Sequence, residues 1–209
     1  MFERLPGGSE AHLAIDDAWW PGRGPRLLFI LRLTPFTTAA LDDVIGSAGI
    51  KALLGPDLFP AVLWHQSASD RYADRPEIRE RLLAAGAAVQ VPGFTIGLDQ
   101  LRAYRNDKGS YNVEARQRAG SPDLVTLVDA VNVAVAAQGL PRGGGHSPHA
   151  TLSYGFQGEP PKPLKMPAVE WSVDAFELVV GGGRPYGYTT LGRWSLGPPA
   201  ARASQASLF

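Results

Sequence analysis

Cysteine is absent from this chain of 209 residues. Its absence excludes a disulfide framework, a thiolate metal site and a cysteine nucleophile. The chain also lacks an excess of either charge, because 20 basic residues balance 20 acidic ones. A neutral protein does not offer the wide positive surface that binds the phosphates of duplex nucleic acid. A nucleic-acid ligand is therefore expected to be a short strand or a chain end.

Long apolar segments are missing as well. No run of the sequence approaches the roughly 18 apolar residues that a membrane span requires. The first ten residues, MFERLPGGSE, do not place a charged segment before an apolar one, as a secretory signal would. We therefore expect a cytoplasmic protein without membrane association. We also expect a monomer.

Glycine and proline are plentiful, with 24 and 18 residues, and apolar residues make up 44% of the chain. This composition predicts a folded globular unit with many turns and few long helices. We expect an irregular N-terminal arm over residues 1–25, a folded domain over 26–196 and a flexible tail over 197–209.

The apolar patterns predict helices and antiparallel strands arranged in two similar halves, which is an α+β organisation. Helices are predicted where a cap or an early proline precedes a 3.6-residue apolar period, and strands where apolar or β-branched runs are bounded by turns. The predicted helices lie in 34–50, 75–86 and 121–139. The predicted strands lie in 26–33, 59–67, short segments of 88–114 divided by the turn NDKG, 149–155, 169–180 and 188–196.

A His-x-Thr motif occurs in the segment HSPHATLSYG, which contains two of the four histidines. Side chains at i and i+2 of a strand share a face, so His149 and Thr151 are expected to point together, with Ala150 and Leu152 pointing away. His146 has no hydroxyl at i+2 and is expected to be a loop residue near the site.

The same spacing recurs at His65 and Ser67 in LWHQSAS. A single imidazole cannot both take and give a proton in one displacement step, so a second acid–base group is needed. Two imidazoles that titrate near neutral pH suit the two roles, and nearby hydroxyls can donate hydrogen bonds to oxygens on which charge develops.

The two His-x-(Ser/Thr) motifs resemble the signature of the 2H phosphoesterases, in particular the 2'-5' RNA ligase or RNA 2',3'-cyclic phosphodiesterase family. PHATLSY matches the second motif of that family, and WSVDAFELVV and LGRWSL follow it as in the family. The first motif departs from the family pattern, because Ser67 and Ala68 stand where Thr-Leu is favoured. Serine keeps the hydroxyl donor. The resemblance covers residues 26–196.

The resemblance implies a bilobal fold with pseudo-twofold symmetry, in which two antiparallel sheets line a central cleft and helices lie outside. It implies a phosphodiesterase without metal or cofactor that opens 2',3'-cyclic phosphate at RNA or nucleotide ends to the 2'-phosphate, with reversible 2'-5' RNA ligation. His65 is expected to be the acid and His149 the base, although the reverse assignment fits the sequence equally. Ser67 and Thr151 are expected to bind phosphate. A non-catalytic RNA-end binder is the alternative, and the intact hydroxyls favour the enzyme.

Further residues are candidates for the rim of the substrate site, namely Arg142, His146, Arg184, Tyr186 and Tyr188. The alternative is that the arginines are only solvated, as surface arginines usually are, and that the aromatic residues belong to the core.

A metal site at His146 and His149 is not expected, because Pro148 interrupts their spacing and no further ligands gather nearby.

The last five residues, QASLF, resemble the Gln-x-x-Leu-Phe peptides that bacterial replication proteins insert into the DNA sliding clamp. Gln205, Leu208 and Phe209 would be the anchors of such a contact, in which an extended tail enters an apolar groove. The alternative is a tail that packs on its own domain.

Overall fold

The computed structural model describes residues 21, 24–47, 65–67, 72–105, 109–143, 149–156, 162–184 and 187–199, with the backbone alone at 45, 47, 65–67 and 153–155. These residues include three helices: α1 (Pro35–Ser47), α2 (Pro76–Ala88) and α3 (Pro122–Ala137). They include nine strands: β1 (Arg26–Arg32), β2 (His65–Ser67), β3 (Tyr72–Ala73), β4 (Phe94–Arg105), β5 (Tyr111–Arg116), β6 (His149–Phe156), β7 (Leu164–Val173), β8 (Ala175–Gly182) and β9 (Gly187–Ser195).

The strands form two antiparallel sheets. The first sheet has the order β2-β1-β8-β9, and β3 pairs with β1 as well. The second sheet has the order β6-β5-β4-β7. Each sheet therefore has a motif strand, β2 or β6, at one end of its order. The expected α+β fold with two related antiparallel sheets is confirmed.

One hydrophobic core joins the two sheets. On β1, Leu27, Phe29 and Leu31 are buried in this core together with residues of β4, β8 and the three helices. Leu28 and Ile30 lie on the opposite face of β1, in a smaller cluster. Strand β1 is therefore covered on both faces, which explains its almost continuous apolar run.

The helices begin where proline and capping residues predict. Pro76 follows the extended residue Arg75, and the side chain of Ser121 accepts a hydrogen bond from the backbone N–H of Leu124 at 3.3 Å. Helix α2 contacts α3, β8 and β9, whereas α1 contacts β7. None of the helices within the described residues is long and apolar enough to cross a membrane.

The prediction of one strand over 169–180 is wrong, because the chain leaves the second sheet at Asp174 and enters the first. Trp171 and Val173 are buried on β7, and the next fully buried side chain belongs to Phe176 on β8. The alternation of buried residues thus changes phase at Asp174. The indole Nε1 of Trp171 donates to the backbone oxygen of Arg32 at 3.1 Å and so ties the two sheets together.

Several sequence predictions lie outside the described residues, namely those for 59–64, most of the N-terminal arm and the end of the tail. Gly197, at the start of the predicted tail, is bound to the folded domain. Its carbonyl accepts from the N–H of Gly93 at 2.7 Å, and its own N–H donates to the carbonyl of Val91 at 2.9 Å.

Candidate functional site

The two motif strands, which belong to different sheets, lie side by side. Strand β2 contacts β6, with Cα atoms of the two strands within 8 Å of one another. The backbone thereby brings the strand that contains positions 65 and 67 close to the strand that contains His149 and Thr151. These are the four residues that the sequence assigned to the chemistry.

In the first sheet, the register between β1 and β2 places His65 opposite Arg32 and Ser67 opposite Ile30. Directly opposed residues of an antiparallel pair share a face. Positions 65 and 67 therefore belong to the face of β1 that carries Ile30 and Arg32, away from the main core.

In the second sheet, His149 is opposite Arg116 and Thr151 is opposite Glu114. His149 is half-buried, and Thr151 is buried. Ala150, between them, is part of the core, as the predicted alternation requires. The register shifts between Val113 and Glu114, so a bulge lies directly after the motif.

An arginine is therefore opposite the position of each motif histidine in the strand register, and in both sheets a buried glutamate accepts a hydrogen bond from the Nε atom of that arginine. The Nε of Arg32 donates to Oε2 of Glu177 at 2.7 Å, and the Nε of Arg116 donates to Oε2 of Glu114 at 2.7 Å. These charge-assisted hydrogen bonds fix the orientation of both guanidinium groups. Both sheets thus have an arginine opposite the position of the motif histidine. Glu114 lies on the same strand as Arg116, whereas Glu177 lies on β8, the strand next to that of Arg32.

These arginines and glutamates were missed in the sequence reasoning, although a signal was present. Glu177 interrupts an apolar run in its strand and Glu114 lies between Val113 and Ala115, and a carboxylate at such a position is buried only when it is paired. What the local pattern does not show is the identity of the partner.

Glu177 is the centre of a larger network in the first sheet. Besides Arg32, it accepts hydrogen bonds from Thr190 Oγ1 at 2.8 Å and from Arg193 Nη1 at 3.2 Å. Burial acts to raise the pKa of this carboxyl, but the hydrogen bonds from Arg32 and Thr190 and the charges of Arg32 and Arg193 outweigh it. The pKa of Glu177 is held below its ordinary value. The carboxylate is therefore ionised at neutral pH.

The guanidinium of Arg116 also lies over an aromatic ring. Its central carbon is 4.2 Å from the ring centroid of Tyr104, and that of Arg102 is 5.0 Å from the same centroid. Both contacts have the geometry of a cation–π interaction. A cationic and aromatic cluster thus adjoins the second motif strand.

The predicted rim residues have different positions. Tyr188 packs against the small cluster of Leu28, Ile30 and Val179, on the face of the first sheet to which positions 65 and 67 belong. Arg142 and Arg184 are exposed in loop and turn segments. His146, Tyr186, Gln205, Leu208 and Phe209 lie outside the described residues. Within the described residues, no three His, Asp or Glu side chains form a group that could hold a metal ion.

Solved structures share this fold. Escherichia coli LigT in its apo form is 22% identical with a TM-score of 0.58, over 84% of this chain and 99% of that chain. TT0787 of Thermus thermophilus is 23% identical with a TM-score of 0.61, over 84% of this chain and 100% of that chain. A phosphoesterase structure is 20% identical with a TM-score of 0.57, over 83% of this chain and 99% of that chain. No protein-family model and no curated protein matches the chain.

Proposed function

We propose that this protein is a metal-independent phosphodiesterase that opens 2',3'-cyclic phosphate at RNA or nucleotide ends and leaves a 2'-phosphate. The observation that carries the proposal is the meeting of β2 and β6, each with a His-x-(Ser/Thr) motif, at one place between two sheets. A pair of acid–base groups on opposite sides of one phosphorus is what a displacement at phosphate requires.

The shared fold supports the same proposal. Structures of Escherichia coli LigT include complexes with 3'-AMP and with phosphate, and these have TM-scores of 0.54 with this chain. A nucleotide phosphate therefore binds to a protein of this fold, and we place the reacting phosphate of this chain between its two motif strands.

In the proposed reaction, His149 takes a proton from water as the water oxygen attacks phosphorus. The bond between phosphorus and the 3' oxygen breaks, and His65 gives its proton to that oxygen, so the product carries a 2'-phosphate. Turning the substrate around exchanges the roles of the two histidines. Attack by the 5'-hydroxyl of a second RNA in place of water forms a 2'-5' linkage by the same transfers.

The remaining residues stabilise charge in this scheme. Ser67 and Thr151 donate hydrogen bonds to the non-bridging oxygens, where charge develops in the transition state. Arg32 and Arg116, held from behind by Glu177 and Glu114, add positive charge next to each motif histidine.

The proposal is tested by incubating the protein with 2',3'-cyclic nucleotides, 3',5'-cyclic nucleotides and ADP-ribose cyclic phosphate in excess EDTA. We expect turnover of a 2',3'-cyclic nucleotide to the 2'-phosphate, at a rate that rises and falls with pH because one imidazole must be neutral and the other protonated. Loss of turnover in EDTA, or release of the 3'-phosphate alone, would contradict the scheme. Binding of RNA ends without turnover would indicate the non-catalytic alternative.

A further inference from the structure

The register of the second sheet places a row of polar and charged residues beside the second motif. Glu114 is opposite Thr151 on one side and Arg102 on the other, and Arg116 is likewise opposite His149. Tyr104, two residues after Arg102 in β4, belongs to the same face. The motif residues and the Arg–Tyr–Arg cluster therefore occupy one continuous face of the sheet.

The charge of this cluster is not balanced locally. Glu114 is buried and pairs with Arg116 at 2.7 Å. Arg102 is exposed and has no carboxylate partner within the described part of the chain. The whole chain has a formal net charge of zero, so overall composition does not explain a local positive excess. An anion placed here would relieve the repulsion between two guanidinium groups that share one ring.

The chemistry of the cluster fits a nucleotide. Arginine presents N–H groups in a planar fork that matches phosphate oxygens, and guanidinium planes and aromatic rings both stack on nucleobases. Arg102 lies on β4, two strands away from Thr151 on β6, which corresponds to about 9.5 Å across the sheet. At that distance, Arg102 is expected to contact the nucleotide next to the reacting phosphate and not the reacting phosphate itself.

We propose that Arg102, Tyr104 and Arg116 form a subsite for the nucleotide that adjoins the reacting phosphate, so that the protein acts on the ends of RNA strands in preference to mononucleotides. The inference rests on the proposed function and names its substrate class. Single-stranded RNA is the occupant, because the cluster is small and the rest of the chain is not basic enough for a duplex.

The test compares a five-nucleotide RNA that ends in 2',3'-cyclic phosphate with the corresponding 2',3'-cyclic mononucleotide. In the Arg102→Gln variant, the ratio of kcat/KM for the RNA to that for the mononucleotide is expected to fall about 10-fold, since a charge-assisted contact is lost. Arg105→Gln is the matched control. Arg105 is also exposed and lies in the same strand, but its position belongs to the other face. The control is expected to leave the ratio unchanged.

A binding measurement separates this proposal from the catalytic one. The fluorescence anisotropy of a labelled five-nucleotide RNA gives Kd at several salt concentrations, and the slope of log Kd against log salt should decrease by about 0.7 in Arg102→Gln, for one lost phosphate contact. Equal slopes and equal Kd for wild type, Arg102→Gln and Arg105→Gln would overturn the subsite. Displacement of the RNA by an acidic peptide at the same concentration as by unlabelled RNA would overturn the assignment to nucleic acid. Neither measurement of binding depends on turnover, so a failure of the proposed function leaves this test intact.

Discussion

Glu177→Gln tests the arginine–glutamate pairing most sharply, because it removes the charge while keeping the shape. A hydrogen bond to a charged group contributes about 1.5 to 3 kcal/mol, and an exposed ion pair at most about 1 kcal/mol. Solvent screens exposed ion pairs. The side chain of Arg193 is 58% exposed, so its contact with Glu177 is expected to add little stability, and that of Arg32 is 33% exposed, so its contact contributes only part of the full value. With the Thr190 contact, we expect a loss of about 2 kcal/mol in the free energy of unfolding at pH 7.

Urea unfolding at several pH values measures this loss. Because the folded-state pKa of Glu177 is lowered, its contribution is present above the unfolded-state pKa of about 4.3 and disappears as the pH falls through the folded-state value. The difference between wild type and variant should therefore shrink below about pH 4. Glu170→Gln, at an exposed position on β7, is the control and should change stability by less than about 0.5 kcal/mol. A Glu177→Gln loss as small as that of the control, or one that does not depend on pH, would refute the reasoning.

Two further predictions concern packing and the tail. A Cβ atom on Gly86 would meet the indole ring of Trp194, so Gly86→Ala should lower the free energy of unfolding, measured in urea, by about 1 to 2 kcal/mol. Gly97→Ala is the control, because a Cβ atom there meets nothing within 4 Å and causes no overpacking. Equal losses of stability in the two variants would contradict the contact. We also propose that residues 205–209 bind the bacterial sliding clamp. Their deletion should abolish capture by purified clamp and leave turnover of a cyclic nucleotide unchanged, and equal capture with and without them would contradict the proposal.

Local pattern predicted much of the fold because caps, turns and alternation are encoded within a few residues. Ser121, Pro122 and the leucines that follow locate α3, and the antiparallel pairing of β4 with β5 confirms the strands predicted on both sides of the segment NDKG. The break at Asp174 was missed although the phase of the buried residues changes there. A run of strand-forming residues does not state which sheet each part joins, since that choice depends on packing partners far away in sequence.

The motif residues could be predicted for the same reason, since each pair occupies three consecutive positions. The arginines beside them could not. Arg32 and Glu177 are 145 residues apart, and their contact follows from the pairing of β1 with β8. Arg116 and Glu114 are near in sequence, but their place beside His149 follows from the register of β5 with β6. Register depends on the apolar patterns of both paired strands and on the connection between them, so the pattern of one strand alone does not identify the residues opposite it.

Replacement of each motif histidine tests the central claim most directly. In His65→Ala and in His149→Ala, kcat/KM for a 2',3'-cyclic nucleotide is expected to fall by about 10²- to 10⁴-fold, since each removes one proton-transfer group. Far-UV circular dichroism should show that both variants stay folded, and His146→Ala should cost far less. Wild-type activity in the double variant His65→Ala, His149→Ala would contradict the two-histidine mechanism.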